Sequence, residues 1–268
     1  MSAPVYCTAP INHAGADGAA VPVPVEIHDG RCADLALDYR SNGFELQEFT
    51  SSVQDWTSLA AVEAVHYDEV TAWARAFTGC DAVLFYPALL RNPLAQAASA
   101  DFAPIEAAHS DYTEAYDLMI RDPQHPYHRV LAPSMRRAAI SDERLASARR
   151  ILTLQLWRNV GPSLPDFPLA VCDARTVPRT QLAPVRVESY GGLDTQFDAF
   201  ALLPPETVNC WYTFPAMRAE EVIVFRAFDS DCVTAGKPFW TPHCAFRDPH
   251  SDGGARHSVE MRAVCLFW

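Results

Sequence analysis

His109-Ser110-Asp111 places an imidazole and a carboxylate two residues apart, and on an extended chain residues two apart project from one face. About half the chain later, Thr241–Phe246 (TPHCAF) adds a second candidate imidazole, His243. Two histidines and one carboxylate are the donor set of a 2-His-1-carboxylate iron(II) centre, which binds one face of the metal and leaves the other positions open. Each residue also has a plainer reading. Asp111 stands just before a helical stretch and would serve as its cap. A strand histidine such as His243 is commonly a packed core or rim residue.

A third group follows. Arg256, Ser258, Glu260 and Arg262 alternate, so a regular strand presents them on one face. Either arginine offers a planar fork that matches a carboxylate bidentately. Pairing with Glu260 or Asp173 is the competing use of these arginines. His125 and His128 have a spacing that suits zinc, but they lie in a polar stretch with no Cys or His cluster nearby and read as surface. Cys244 is expected to point away from His243, into packing. The chain has no Gly-rich phosphate loop, Gly-x-Ser-x-Gly or His-Glu-x-x-His motif.

The elements that must position these residues are mostly short strands. Val21–Ile27 alternates and is Pro-rich, which predicts an edge strand or extended arm. Phe44–Phe49 reads as a short strand. From Asp55 to Phe77 the apolar residues take helical spacing, with Asp55 or Thr57 as cap and Gly79 as terminator. After Gly79 come about eight apolar runs separated by turns, a pattern that predicts a double-sheet jelly roll. His109 falls in the second run, His243 in the seventh and the arginines in the eighth; in a jelly roll of that order the first two are neighbours near the open end. Helices are expected over Thr113–Arg121, capped by Thr113, and over Ser141–Arg150. Residues 122–133 read as a polar loop, and 178–205 as a Pro- and Gly-containing excursion. The expected organisation is mainly β with flanking helices. It is one domain over 1–268, with a strand and helix extension at 1–79 and a jelly-roll core at 80–268. The N-terminal part and the excursions at 122–140 and 178–205 are the expected lid and substrate-selecting segments.

Composition narrows the function. The formal net charge is −12, with no basic run, which disfavours nucleic acid, anionic membrane surfaces and anionic polymers as partners. Eight cysteines without a Cys-x-x-Cys are too sparse for a disulfide scaffold and are expected as buried thiols of a reducing compartment. No basic region followed by an apolar run opens the chain, and no stretch has the length to span a bilayer. The expectation is a cytoplasmic protein with a small-molecule substrate; a homodimer is left open.

Taken together, several stretches resemble the CmcJ/NvfI-type iron(II)/2-oxoglutarate oxygenases of secondary metabolism, a family of hydroxylases and desaturases. The likeness covers roughly residues 80–268. It is carried by His109-Ser110-Asp111, Leu156–Val160 (LWRNV), Pro168–Arg175 (PLAVCDAR), Trp211–Met217 (WYTFPAM), Glu221–Ser230 (EVIVFRAFDS), Thr241–Phe246 and Arg256–Arg262 (RHSVEMR). The resemblance implies a cupin-like double-stranded β-helix, with His109, Asp111 and His243 as iron ligands. It implies 2-oxoglutarate and O2 as co-substrates, with the co-substrate held through Arg256, Ser258 or Arg262. Arg158, Asp173, Arg175 and Tyr212 also match family positions, and Arg158 and Tyr212 become pocket candidates. The implied activity is decarboxylation of 2-oxoglutarate to succinate coupled to oxidation of an unactivated C–H bond. The outcomes are hydroxylation, desaturation, ring formation or peroxidation. An iron oxidase without 2-oxoglutarate, or a non-catalytic jelly-roll binding protein, are the competing readings.

Overall fold

The structure, a computed structural model, describes residues 3–32, 36–191 and 193–268. In chain order, β1 (Val5–Ala14) and β2 (Ala20–Asp29) form a hairpin, followed by β3 (Phe44–Glu48) and α1 (Leu59–Thr78). Next come β4 (Ala82–Phe85), β5 (Leu89–Arg91), α2 (Pro93–Ala98) and β6 (His109–Ser110). Three helices follow: α3 (Tyr116–Arg121), α4 (Pro126–Ala138) and α5 (Asp142–Ala146). The remaining strands are β7 (Arg150–Asn159), β8 (Leu169–Cys172), β9 (Leu182–Tyr190), β10 (Leu193–Leu202), β11 (Trp211–Thr213) and β12 (Glu221–Asp229). After α6 (Ser230–Thr234) the chain closes with β13 (His243–Ala245) and β14 (Ser258–Phe267).

Two sheets make the double-stranded β-helix. The larger has the order β1-β2-β11-β8-β13-β6-β10-β9, and the smaller β3-β12-β7-β14-β4, with β5 also on β14. Strand parity divides the smaller sheet's two faces. On β7, Leu152, Leu154 and Leu156 face outward, and on β14, Val259, Met261, Ala263 and Cys265 do the same. Against them lies α1, which buries Val62, His66, Val70 and Ala74 at one-turn spacing. Each fully buried valine contributes roughly 2 kcal/mol, so a charge at Val70 would break this layer. The inner residues of the same strands, Gln155 on β7 and Glu260 and Arg262 on β14, face the larger sheet across a cavity.

Several expectations change. Helix α1 starts later than the apolar spacing suggests: Ser58 is the cap, accepting from the Ala61 N–H, while Asp55 accepts from Thr57 in the turn before. Gly79 does end it, at φ 77°, in the left-handed region that favours glycine. Residues 122–133 are a loop only as far as His125: α4 starts at Pro126, which lies in its first turn, and runs through Pro133. The helix predicted over Ser141–Arg150 ends at Ala146, and Arg150 already opens β7. Thr113 only supports the turn before α3, through the Ala115 N–H. The excursion at 178–205 is the long hairpin β9–β10 at one edge of the larger sheet. Strand β2 is not an edge, because β1 pairs outside it. Its proline-bearing half, Pro22 and Pro24, pairs only with β1, which is where a residue lacking an N–H is tolerated. The residue-79 boundary does not part the sheets, since β1 and β2 belong to the larger one and β3 to the smaller.

Candidate metal centre and its pocket

β6 is only two residues long, yet it pairs with both β10 and β13. His109 stands directly opposite His243 in the β6–β13 pair, with ring centroids 4.4 Å apart. Their Nδ1 atoms are engaged alike. His109 Nδ1 lies 2.8 Å from the Ala107 carbonyl and His243 Nδ1 3.0 Å from the Thr241 carbonyl, each two residues back. A carbonyl only accepts, so each ring carries a proton on Nδ1 and leaves Nε2 as the atom free to meet Asp111 and a metal. Both Nε2 atoms lie 3.9 Å from Asp111 Oδ1. One donor atom from each residue falls within a 4.8 Å cluster. Donors about 2.1 Å from one ion are reached by a contraction on the order of 1 Å, so the set fits a metal. Gly43 supports the approach to His243: at φ 98° it packs its Cα against Thr241, where a Cβ would collide with the threonine hydroxyl.

Asp111 does not cap α3, whose N-terminus has no side-chain cap. Its carboxylate instead accepts from Arg262, Nε to Oδ2 at 3.3 Å and Nη2 to Oδ1 at 3.5 Å. Burial would raise the Asp111 pKa, but the Arg262 charge, with the two imidazoles, outweighs it and holds the carboxyl at about 2. Burial, and repulsion from His109, push His243 down to about 4. Near neutral pH the Asp111 carboxylate is ionised and the His243 ring is neutral, as ligands must be.

From Asp111 a polar chain crosses the cavity floor. Arg262 Nε also donates to Gln155 Oε1 at 3.1 Å, and Gln155 Nε2 donates to Glu260 Oε2 at 3.4 Å. Glu260 Oε1 accepts from Arg91 Nε at 2.5 Å and from Arg256 Nη2 at 3.3 Å. Arg256 Nε donates to the Ser258 hydroxyl at 2.9 Å. Arg91 reaches further, to Tyr190 at the end of β9. Burial penalises every charge here. For Glu260 the two arginines win and its pKa falls to about 2, whereas for Arg256 burial wins and its pKa falls to about 10. Arg91, Gln155, Tyr190, Arg256, Glu260 and Arg262 line a cavity of about 410 Å³ that also contains the three candidate ligands. Its walls are apolar, with Val185, Val187, Phe197 and Ala199 from the β9–β10 hairpin and Ile105 and Leu169 beside them.

The structure thus brings His109, Asp111, His243, Arg256 and Arg262 to one cavity, with Ser258 bonded to Arg256. It sends the two other pocket candidates elsewhere. Arg158 has the even parity of Leu154 and Leu156, so it faces α1. There it donates to the carbonyls of Phe49 and Ala219 and stacks on Phe49 and Trp56. Tyr212 packs on Phe44 and His28, and Val171 stands between it and His243 in the sheet. Asp173 and Arg175 pair with each other. Cys244 is a buried thiol whose pKa burial raises; it packs in the core cluster and is also among the residues lining the cavity. His128 is buried rather than on the surface, bonded to the Ile120 carbonyl and Asp142, and His125 caps α4. Of the three expected lid segments, the N-terminal hairpin and β9–β10 line the cavity and 122–140 does not. Arg91, Gln155, Tyr190 and His13 are lining residues that the sequence reading did not single out.

A family model described as "Oxidoreductase/YMDC permease-like domain" matches residues 2–266. No helix among the described residues is long and apolar enough to cross a membrane. A protein of Aspergillus novofumigatus named Fe(II)/2-oxoglutarate-dependent dioxygenase nvfI is 27% identical over 250 residues, covering 91% of this chain and 83% of the relative. The hydroxylase/desaturase efuI of Hormonema carpetanum is also 27% identical, with the same coverage. A solved structure of the iron and alpha-ketoglutarate-dependent endoperoxidase NvfI superposes with a TM-score of 0.79 at 26% identity, covering 98% of both chains.

Proposed function

This chain belongs to the oxidoreductase/YMDC permease-like domain family, and we propose that it is an iron(II)- and 2-oxoglutarate-dependent oxygenase acting on a small molecule. One observation carries the reading: two imidazoles and one ionised carboxylate converge at the floor of an apolar-walled cavity. His109, Asp111 and His243 would hold the iron. Bound there, iron(II) supplies O2 activation coupled to decarboxylation of the 2-oxo acid, and hence oxidation of a substrate C–H bond.

The chain's own residues do the rest. Arg256, steadied by Ser258, is assigned to the distal carboxylate of 2-oxoglutarate. Arg262 is the weaker candidate because its guanidinium is already committed to Asp111 and Gln155. Arg262 therefore acts by orienting a ligand carboxylate. Glu260 keeps Arg91 and Arg256 together in a buried site where unopposed guanidinium groups would repel. The apolar walls exclude water and accept a largely apolar skeleton. Hydroxylation, desaturation, ring formation and peroxidation share this machinery, and the placement of the substrate selects among them. The free cysteines fit a reducing, cytoplasmic setting.

The test is anaerobic loading with iron(II), then O2 and 2-oxoglutarate, with succinate measured against 2-oxoglutarate consumed. Equal amounts of the two are expected, together with loss of iron binding in His109→Ala, Asp111→Ala and His243→Ala. Iron binding with no use of 2-oxoglutarate would instead indicate an iron oxidase of another kind. No iron binding would indicate a binding protein.

A further inference from the structure

His13 lies on β1 and is 1% exposed. Its Nδ1 sits 3.0 Å from the Ile11 carbonyl, two residues back, the same device that presents Nε2 of His109 and His243. The proton is therefore on Nδ1, and Nε2 is a bare acceptor. Burial lowers the His13 pKa, which keeps the ring neutral near pH 7. Among the described residues Nε2 has no hydrogen-bond partner. His13 lines the cavity that holds the three candidate ligands, yet it is not part of their cluster. Strand β1 is anchored beside that cluster: the Ala108 N–H donates to the Asn12 carbonyl at 2.8 Å, and Asn12 bridges Ala107. Around His13, the N-terminal hairpin offers only small residues to the cavity, Ala14, Gly18, Ala19 and Ala20.

A buried acceptor without a donor is costly, and native structures keep few of them. Alanines and a glycine beside it leave room for a bulky skeleton. The charged floor cannot serve His13, because those groups are bonded to one another. We propose that His13 is a substrate-positioning residue, whose Nε2 accepts a hydrogen bond from a hydroxyl or N–H of an otherwise apolar substrate. The inference rests on the oxygenase reading of the cavity. It adds the polar handle by which the substrate would be oriented above the metal, with the N-terminal hairpin as part of the specificity wall.

Borneol and camphor test it, because they share one compact bicyclic skeleton. The alcohol donates a hydrogen bond, while the ketone only accepts. Their binding is measured by calorimetry on the anaerobic iron(II)/2-oxoglutarate protein. Borneol is expected to bind about five- to tenfold more tightly, the size of one net hydrogen bond. His13→Leu is expected to erase the preference and leave iron and 2-oxoglutarate affinities unchanged. In wild-type protein labelled with 15N-histidine, the His13 Nε2 resonance is expected to move with borneol and stay with camphor, a readout that needs no variant. Equal affinities, tighter binding of camphor, a preference that survives His13→Leu, or no binding of either compound would overturn the proposal. Normal iron and 2-oxoglutarate binding alongside any of these would show that the oxygenase reading stands without it.

Discussion

Replacing Arg256 and Arg262 one at a time separates their roles. Arg256 is 3% exposed in its side chain, and its guanidinium already contacts Ser258 and Glu260. A charge-assisted hydrogen bond to a carboxylate contributes about 1.5–3 kcal/mol. Arg256→Gln should therefore raise the dissociation constant of 2-oxoglutarate by about tenfold to a hundredfold, with iron affinity little changed. Glu260 keeps Arg91 at 2.5 Å in that variant, so the carboxylate is not left alone. Arg262→Gln removes the contacts to Asp111 at 3.3 and 3.5 Å. Loss of such an outer partner of a metal ligand costs roughly 10- to 100-fold in metal affinity. Here the iron constant should weaken, while 2-oxoglutarate binding at saturating metal should stay within a few-fold. Arg158→Met, on the opposite face of β7, is the control expected to leave both constants in place. The assay is anaerobic: iron by competition with a chelator, then 2-oxoglutarate by calorimetry on the loaded protein. Normal 2-oxoglutarate binding in Arg256→Gln, with loss in Arg262→Gln at normal iron affinity, would refute the division of labour.

Two predictions concern stability. Glu221 is held at about 2, chiefly by hydrogen bonds from Arg31 with Arg218 adding to them, and its side chain is 4% exposed. Its folded pKa lies below the ordinary 4.5, so its contribution is complete above about pH 4.5 and is lost as the pH falls toward 2. Allowing for the partial exposure of Arg31, that contribution is on the order of 1–2 kcal/mol. Glu221→Gln should lower stability at pH 7 by that amount and flatten the acid limb of a urea-stability profile; an unchanged limb would remove the argument. Gly79→Ala should cost about 1 kcal/mol through the positive φ alone, because nothing lies within 4 Å of the added Cβ. An unchanged thermal midpoint would show that the helix end relaxes.

The legibility of the site in the sequence follows from strand periodicity. The i, i+2 rule brought His109 and Asp111 to one face, and the alternation after Arg256 brought Glu260 and Arg262 inward. The same rule, applied to β7, puts Arg158 on the outer face with Leu154 and Leu156, so family position alone misplaced it. Proline hid most of the rest. Pro10 interrupts an alternation of Cys7, Ala9, Ile11 and His13, all buried, and that alternation was the available signal for His13. Pro184 and Gly191 made the β9–β10 hairpin look like punctuation, although Pro184 lies on an edge strand that tolerates it. Pro126 and Pro133 disguised α4. Arg91 and Tyr190 carried no local signal, because only the tertiary fold brings Arg91 to Glu260 and Tyr190 to Arg91.

The floor's charge explains why an acidic chain gathers arginines at this point. Arg91, Arg256 and Arg262 face Asp111 and Glu260 across one cavity, leaving a single net positive charge among these five groups. Uncompensated charge away from water is unfavourable, so the arrangement is tolerable only because each guanidinium meets a carboxylate or a carbonyl. A divalent metal adds two positive charges to this surplus, and a dianionic 2-oxo acid returns it to its starting value. Metal and co-substrate should therefore bind with positive coupling, each strengthening the other by the same factor, as linkage requires. Calorimetric titration of 2-oxoglutarate into the metal-free protein should show much weaker binding than into the loaded one. Equal affinity would mean that the floor arginines alone hold the dianion and that the metal contributes nothing to its capture.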